Sequence, residues 1–153
     1  MTAQSVVDPH NSLIPLFFPV FFAAVSLLAG AQVSWIGGWA ALARTYRTQA
    51  PFAGAKWTMQ SAQMRWWMNC HNVLTLGVNP EGLYLAVLFL FRFRHPPLLI
   101  PWSDIKVRRR KGWIFEYVIL TLGPEREIPL RLRAGLAAKL RSAAGASWPV
   151  EEM

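Results

Sequence analysis

"IKVRRRKGWIFEYVILTL", residues Ile105 to Leu122, places a basic run and an apolar run on either side of Gly112. In the first run Ile105 and Val107 alternate with Lys106, Arg108 and Arg110. A period of two is that of a strand with one face in a core and the other in water. Strands half-buried in this way belong to antiparallel sheets. The second run, "WIFEYVILTL" (Trp113 to Leu122), reads as the next strand. After the turn Gly123-Pro124-Glu125 the alternation returns in "REIPLRLR", with Ile128, Leu130 and Leu132 inward and Glu127, Arg131 and Arg133 toward water. "AGLAAKLRSAAG" (Ala134 to Gly145) then changes to the composition of a helix.

Upstream, "MRWWMNC" and "VLTLGV" read as two short strands separated by His71-Asn72, with Trp66 and Trp67 on opposite faces. Asn79 to Gly82, "NPEG", carries Pro and Gly where a turn requires them. "LYLAVLFLF" (Leu83 to Phe91) is apolar on both faces and predicts a strand covered on both sides, followed by "LLIPW". The domain over residues 64–146 thus holds about seven short strands and a closing helix, an antiparallel sheet or open barrel. Residues 147–153 form a C-terminal tail.

The N-terminal third has another character. No residue from Leu13 to Ala43 carries a formal charge, and "LIPLFFPVFFAAVSLLAGAQVSWIG" (Leu13 to Gly37) is almost wholly apolar. About 20 such residues suffice for a helix to cross a bilayer. One transmembrane helix is expected over roughly Leu13 to Ile36, within a segment 13–43 whose end lies along the interface and runs on toward Tyr46. Pro15 and Pro19 fall in its first turns, where a missing amide donor costs least. Residues 1–12 lack Lys and Arg, whereas Arg44, Arg47, Lys56 and Arg65 follow the span. The positive-inside rule then puts the N-terminus outside and the β domain in the cytoplasm, on a cell inner membrane. A cleaved signal at Ala29-Gly30-Ala31 fits less well, because the n-region holds Asp8 and no basic residue. "TQAPFAGAKWTMQSAQ" (Thr48 to Gln63), within a segment 44–63, reads as a linker over the membrane surface.

"EGLYLAVLFLF", "PPLLIPWSDI", the strand count and the closing helix together resemble the pleckstrin-homology-like superfold and its GRAM-type branch, over roughly Arg65 to Gly145. The pattern is similar to that of small membrane-anchored bacterial proteins. The resemblance implies a membrane-anchored α+β chain with a PH-like sheet, and it implies no catalytic activity. Phosphoinositide-binding members carry their basic motif around the first hairpin; here that region offers only Arg65, so no head-group specificity is implied.

The composition fits a binding protein. The chain has 153 residues and a formal net charge of +8, and 54% of it is hydrophobic while 16% is charged. Positive charge beside grease points to anionic surfaces. Lys106, Arg108 and Arg110 share a strand face, and Arg92 and Arg94 extend it into a basic patch for lipid or partner; the alternative is a solvated face that blunts an edge strand. Trp35, Trp39, Trp57, Trp102 and Trp113 are the candidate interface aromatics, core packing being the alternative for each. Gly30, Ser34 and Gly37 offer small surfaces for helix packing. The single cysteine, Cys70, excludes an intrachain disulfide.

Neither nucleic acid nor a small-molecule substrate is expected, since no zinc pattern, GxxG clamp or P-loop is present. Asp104 in "PWSDI" reads as a turn cap with Ser103. The scattered histidines and lone Cys70-His71 pair supply neither a metal site nor a cofactor ligand set, and no catalytic residues are assigned. The reading is a non-catalytic accessory or scaffold subunit that docks on a larger bacterial membrane protein complex, respiratory or photosynthetic in kind. The alternative is an anionic-lipid-binding, membrane-tethered PH-like module.

Overall fold

The computed structural model describes residues 17–25, 38–66, 68–89, 92, 95–125 and 127–152. Residues 17–25 are helical (α1), and α2 spans Trp39–Tyr46. The strands are β1 (Ala55–Met64), β2 (Met68–Val78), β3 (Gly82–Val87), β4 (Leu98–Pro101), β5 (Ile105–Lys111), β6 (Glu116–Leu122), β7 (Ile128–Arg133) and β8 (Glu151–Glu152). Helix α3 (Ala134–Ala144) lies between β7 and β8. All eight strands form one curled sheet in the order β4-β3-β2-β1-β7-β6-β5-β8.

Two antiparallel meanders, β1 to β4 and β5 to β7, build this sheet. They are joined along a short seam, where Gln63 faces Arg131 and Met64 faces Leu130. The seam is prolonged by the Arg65 N–H donating to the Pro129 carbonyl at 2.9 Å. Beyond Gln63, toward the start of β1, the two meanders diverge. The inward faces supply the core, including Leu74, Leu76, Leu85, Leu120 and Leu130, with α3 closing it through Ala137 and Leu140. Burying one such leucine contributes roughly 1.5–3 kcal/mol relative to leaving it in water.

The turn between β2 and β3 is made as its residues dictate. The Asn79 side-chain oxygen accepts from the amides of Glu81 at 3.0 Å and Gly82 at 2.9 Å. Gly82 has to be glycine, because a Cβ there would collide with the Ile100 carbonyl oxygen. β3 is buried along its whole length, as an apolar run without alternation implies, although the strand stops at Val87.

Several expectations are corrected. Among the described residues no helix is long and apolar enough to cross a membrane, which corrects the membrane-anchored fold class; of the expected span Leu13 to Ile36, only residues 17–25 are among the described ones. The apolar stretch read as one continuous segment is turned at Gly38, whose φ of 81° precedes α2. Helix α2 lies against the sheet, with Trp39 and Leu42 in the core. The sheet has eight strands, because Glu151 and Glu152 add a parallel strand to β5. Strand β1 occupies most of the expected linker: Ala55 pairs with Val78, and the strand's first half is exposed, so its sequence lacks apolar alternation. "MNC" (Met68 to Cys70) and "VLTLGV" belong to one strand, continuous through Asn72, which adopts φ 52° and accepts the Ser61 hydroxyl proton on its side-chain oxygen, whereas Met64 ends β1. Asparagine tolerates that conformation better than most residues. Trp66 lies in the turn after β1 rather than on a strand face.

Candidate functional site

The most exposed large apolar side chain in the sheet domain belongs to the β5–β6 hairpin. The register pairs Ile105 with Leu122 and continues to Lys111 opposite Glu116, leaving Gly112 to Phe115 for the turn. The Gly112 amide donates to the Phe115 carbonyl at 3.0 Å and closes it. Trp113 is fully exposed, Ile114 is 79% exposed and Phe115 is 74% exposed. Residues Trp113 to Phe115 therefore do not begin the strand, as alternation suggests, but form its tip.

Register also arranges the outer face behind the tip. Arg110 faces Tyr117, and Tyr117 faces Arg133 across β7. In the next row but one, Arg108 faces Ile119, and Ile119 faces Arg131. Partners in antiparallel strands share a face, so arginines flank a central column of Tyr117 and Ile119. The Arg131 guanidinium lies 3.4 Å from the Tyr117 ring centroid and also donates to Gln63 Oε1 at 3.3 Å. Cation and ring attract through the ring quadrupole.

Part of this charge is compensated internally. Lys106 pairs with Glu127 at 3.1 Å and Arg108 with Glu152 at 3.1 Å. Arg109 meets Glu151 at 3.3 Å and Glu116 at 4.0 Å, while Arg141 reaches Glu151 at 3.1 Å. The Glu151 hydrogen bond and charge raise the pKa of Arg109 further above its ordinary value. Exposed pairs of this kind contribute about 0–1 kcal/mol each; their larger consequence is a lower local potential. Among the described residues, Arg110, Lys111 and Arg133 take no part in these pairs. These three cations stand at the hairpin end of β5.

The expected site residues divide sharply. Arg110 and Trp113 lie together at the exposed end of the hairpin, whereas Lys106 and Arg108 hold acidic partners. Arg92 donates to the Val87 carbonyl at 3.4 Å, in the segment leading away from β3. Arg94, Trp35, Gly30, Ser34 and Gly37 lie outside the described residues. Trp39 is 4% exposed, donates to the Pro96 carbonyl at 3.1 Å and meets His95 edge-on, the core packing that was its alternative. Trp57 is half-buried against the core, and Trp102 donates to the Asn79 carbonyl at 2.9 Å while contacting Trp148. Asp104 serves as a structural acceptor for the Tyr46 hydroxyl at 2.7 Å. Burial first, then this hydrogen bond and the carboxylate charge, push the Tyr46 pKa up to about 12.

Ile114, Phe115, Arg131 and Arg133 enter the site without having been singled out. The available signal was Gly112 between a basic run and an apolar run: counting a four-residue turn from it puts Trp113 to Phe115 outside the ladder. Where β1 leaves β7, an open cleft of about 950 Å³ adjoins the same end. Gln60, His71, Glu116, Arg131, Arg133 and Lys139 are among its lining residues. The cleft joins hydrogen-bonding side chains to cations, with the Glu116 carboxylate among them. Among the described residues no cluster of three or more His, Cys, Asp or Glu side chains is placed to hold a metal ion. No family model matches the chain, and a search of curated proteins finds no match.

Proposed function

We propose that the protein is a non-catalytic accessory subunit that docks on a larger membrane protein complex. One observation carries this reading: in α1, Phe17, Phe18, Val20, Phe21, Phe22 and Val25 are all exposed. An apolar surface of this extent marks a place for a partner. Association removes it from water, with a return of roughly 25 cal/mol per Å² before the costs of ordering. The two meanders with one closing helix support the likeness to the PH-like superfold.

Gentle extraction followed by native mass spectrometry tests the docking role. The chain is expected within a larger assembly, and Phe21→Ser with Phe22→Ser is expected to release it while leaving the sheet folded. Extraction as a monomer at every concentration overturns the reading. A second reading, an anionic-lipid-binding module, is favoured by the outward row Arg110–Tyr117–Arg133, whose arginines are free of the ion pairs formed elsewhere on β5.

A further inference from the structure

We infer that the β5–β6 hairpin tip is a membrane-insertion element, with Trp113, Ile114 and Phe115 entering an anionic bilayer surface and Arg110, Lys111 and Arg133 meeting lipid phosphates. This deepens the lipid-binding reading by naming the element that enters the bilayer, and it is independent of docking on a protein complex.

Folding does not explain the residues at the tip. The three side chains lie outside the core and project into water. Tight hairpin turns favour Gly, Asn and Asp, and the β2–β3 turn of this same chain follows that rule. Here Trp and Ile occupy the two central positions, and neither has a positive φ that would mark a special turn. Three consecutive large apolar residues in water offer the folded state nothing, so their use lies in contact with another phase or molecule.

The surroundings identify that phase. Lys111 flanks the turn directly, and Arg110 and Arg133 stand in the row next to it, one on each side of Tyr117. Apolar groups at an apex with cations a few ångströms behind match the layering of a bilayer, hydrocarbon below and phosphate above. Trp suits the boundary between the layers because its ring is apolar while its indole N–H seeks a hydrogen bond. An aliphatic side chain such as Ile114 has no base-stacking role, so a nucleic acid is a poorer fit to the same charge. Glu151 and Glu152 bind Arg108, Arg109 and Arg141, and Glu116 stands opposite Lys111 and 4.0 Å from Arg109, so Arg110, Lys111 and Arg133 against one nearby carboxylate leave the insertion end positive.

The test places an environment-sensitive fluorophore at the tip of the full chain, through Ile114→Cys in a Cys70→Ser background. Protein-free vesicles of phosphatidylcholine, with or without phosphatidylglycerol, are then added. The expected result is a blue shift with anionic vesicles and quenching by spin-labelled acyl chains. Replacing Arg110 and Lys111 by Ala is expected to weaken this response about thirtyfold, roughly fivefold for each cation near a charged leaflet. Vesicle sedimentation of a Trp113→Ser, Ile114→Ser, Phe115→Ser variant with its native Cys70 provides a second measurement, with reduced binding expected. Binding to anionic vesicles while the probe stays in water overturns the tip as the inserting element. An equal response to neutral vesicles overturns the role of the cations. A shift seen only in native, protein-containing membranes assigns the tip to a protein partner and also overturns the inference.

Discussion

The two tight turns that end β2 and β5 solve the same geometric problem with opposite chemistry. Asn79 to Gly82 satisfies its own amides, and the Trp102 indole donates to the Asn79 carbonyl above it. Gly112 to Phe115 closes with one backbone hydrogen bond and presents its side chains to water. The first turn is composed for the fold, and changing it should cost stability. The second is composed for something outside the fold, and changing it should cost binding alone. Sequence composition at a turn therefore reports which of these constraints acted on it.

Gly82→Ala should break the comparison most severely. Its Cβ would meet backbone rather than a yielding side chain, and forcing β3 from β4 should destabilise by about 1–3 kcal/mol, read as a lower denaturation midpoint. Asn79→Ala comes next: removing the acceptor for two amides should cost about 1–2 kcal/mol in the same measurement. Tyr46→Phe sharpens the contrast elsewhere, since it removes only the hydroxyl bonded to Asp104 and should cost about 1 kcal/mol. Its sign with pH is fixed. A hydroxyl whose pKa rises from 10 to about 12 on folding stabilises the fold fully below pH 10 and loses that contribution as pH rises toward 12. The wild type should therefore lose stability over that window in alkaline melts, and the Phe variant should lose less. Smallest of all, serine at Trp113, Ile114 and Phe115 together should leave the melting midpoint within about 0.5 kcal/mol of wild type.

What the sequence made legible was whatever the hydrophobic period controls. Ile105 and Val107, and Ile128, Leu130 and Leu132, are buried as their alternation requires, and α3 follows its Ala/Leu composition. Strand β1 was hidden because its ladder to β2 needs backbone groups more than apolar side chains. The tip was hidden because Trp, Ile and Phe continue a strand pattern while standing in a turn. The acids on β5 were hidden because Glu151 and Glu152 lie far along the chain from Arg108 and Arg109, and only folding brings them together. Tryptophans could not be sorted by type: Trp39 and Trp113 share a side chain, yet one is core and the other apex.

The ends of the sheet carry a further consequence. A strand with unpaired amides and carbonyls is a template for another chain, the first step toward fibrils. At one border β4 is only Leu98–Pro101 long, Arg47 bridges to Leu98 and α2 packs alongside. At the other, two consecutive glutamates form the outermost strand, so a second copy approaching in register would set like charges against each other. This architecture defends a greasy protein against polymerising with itself.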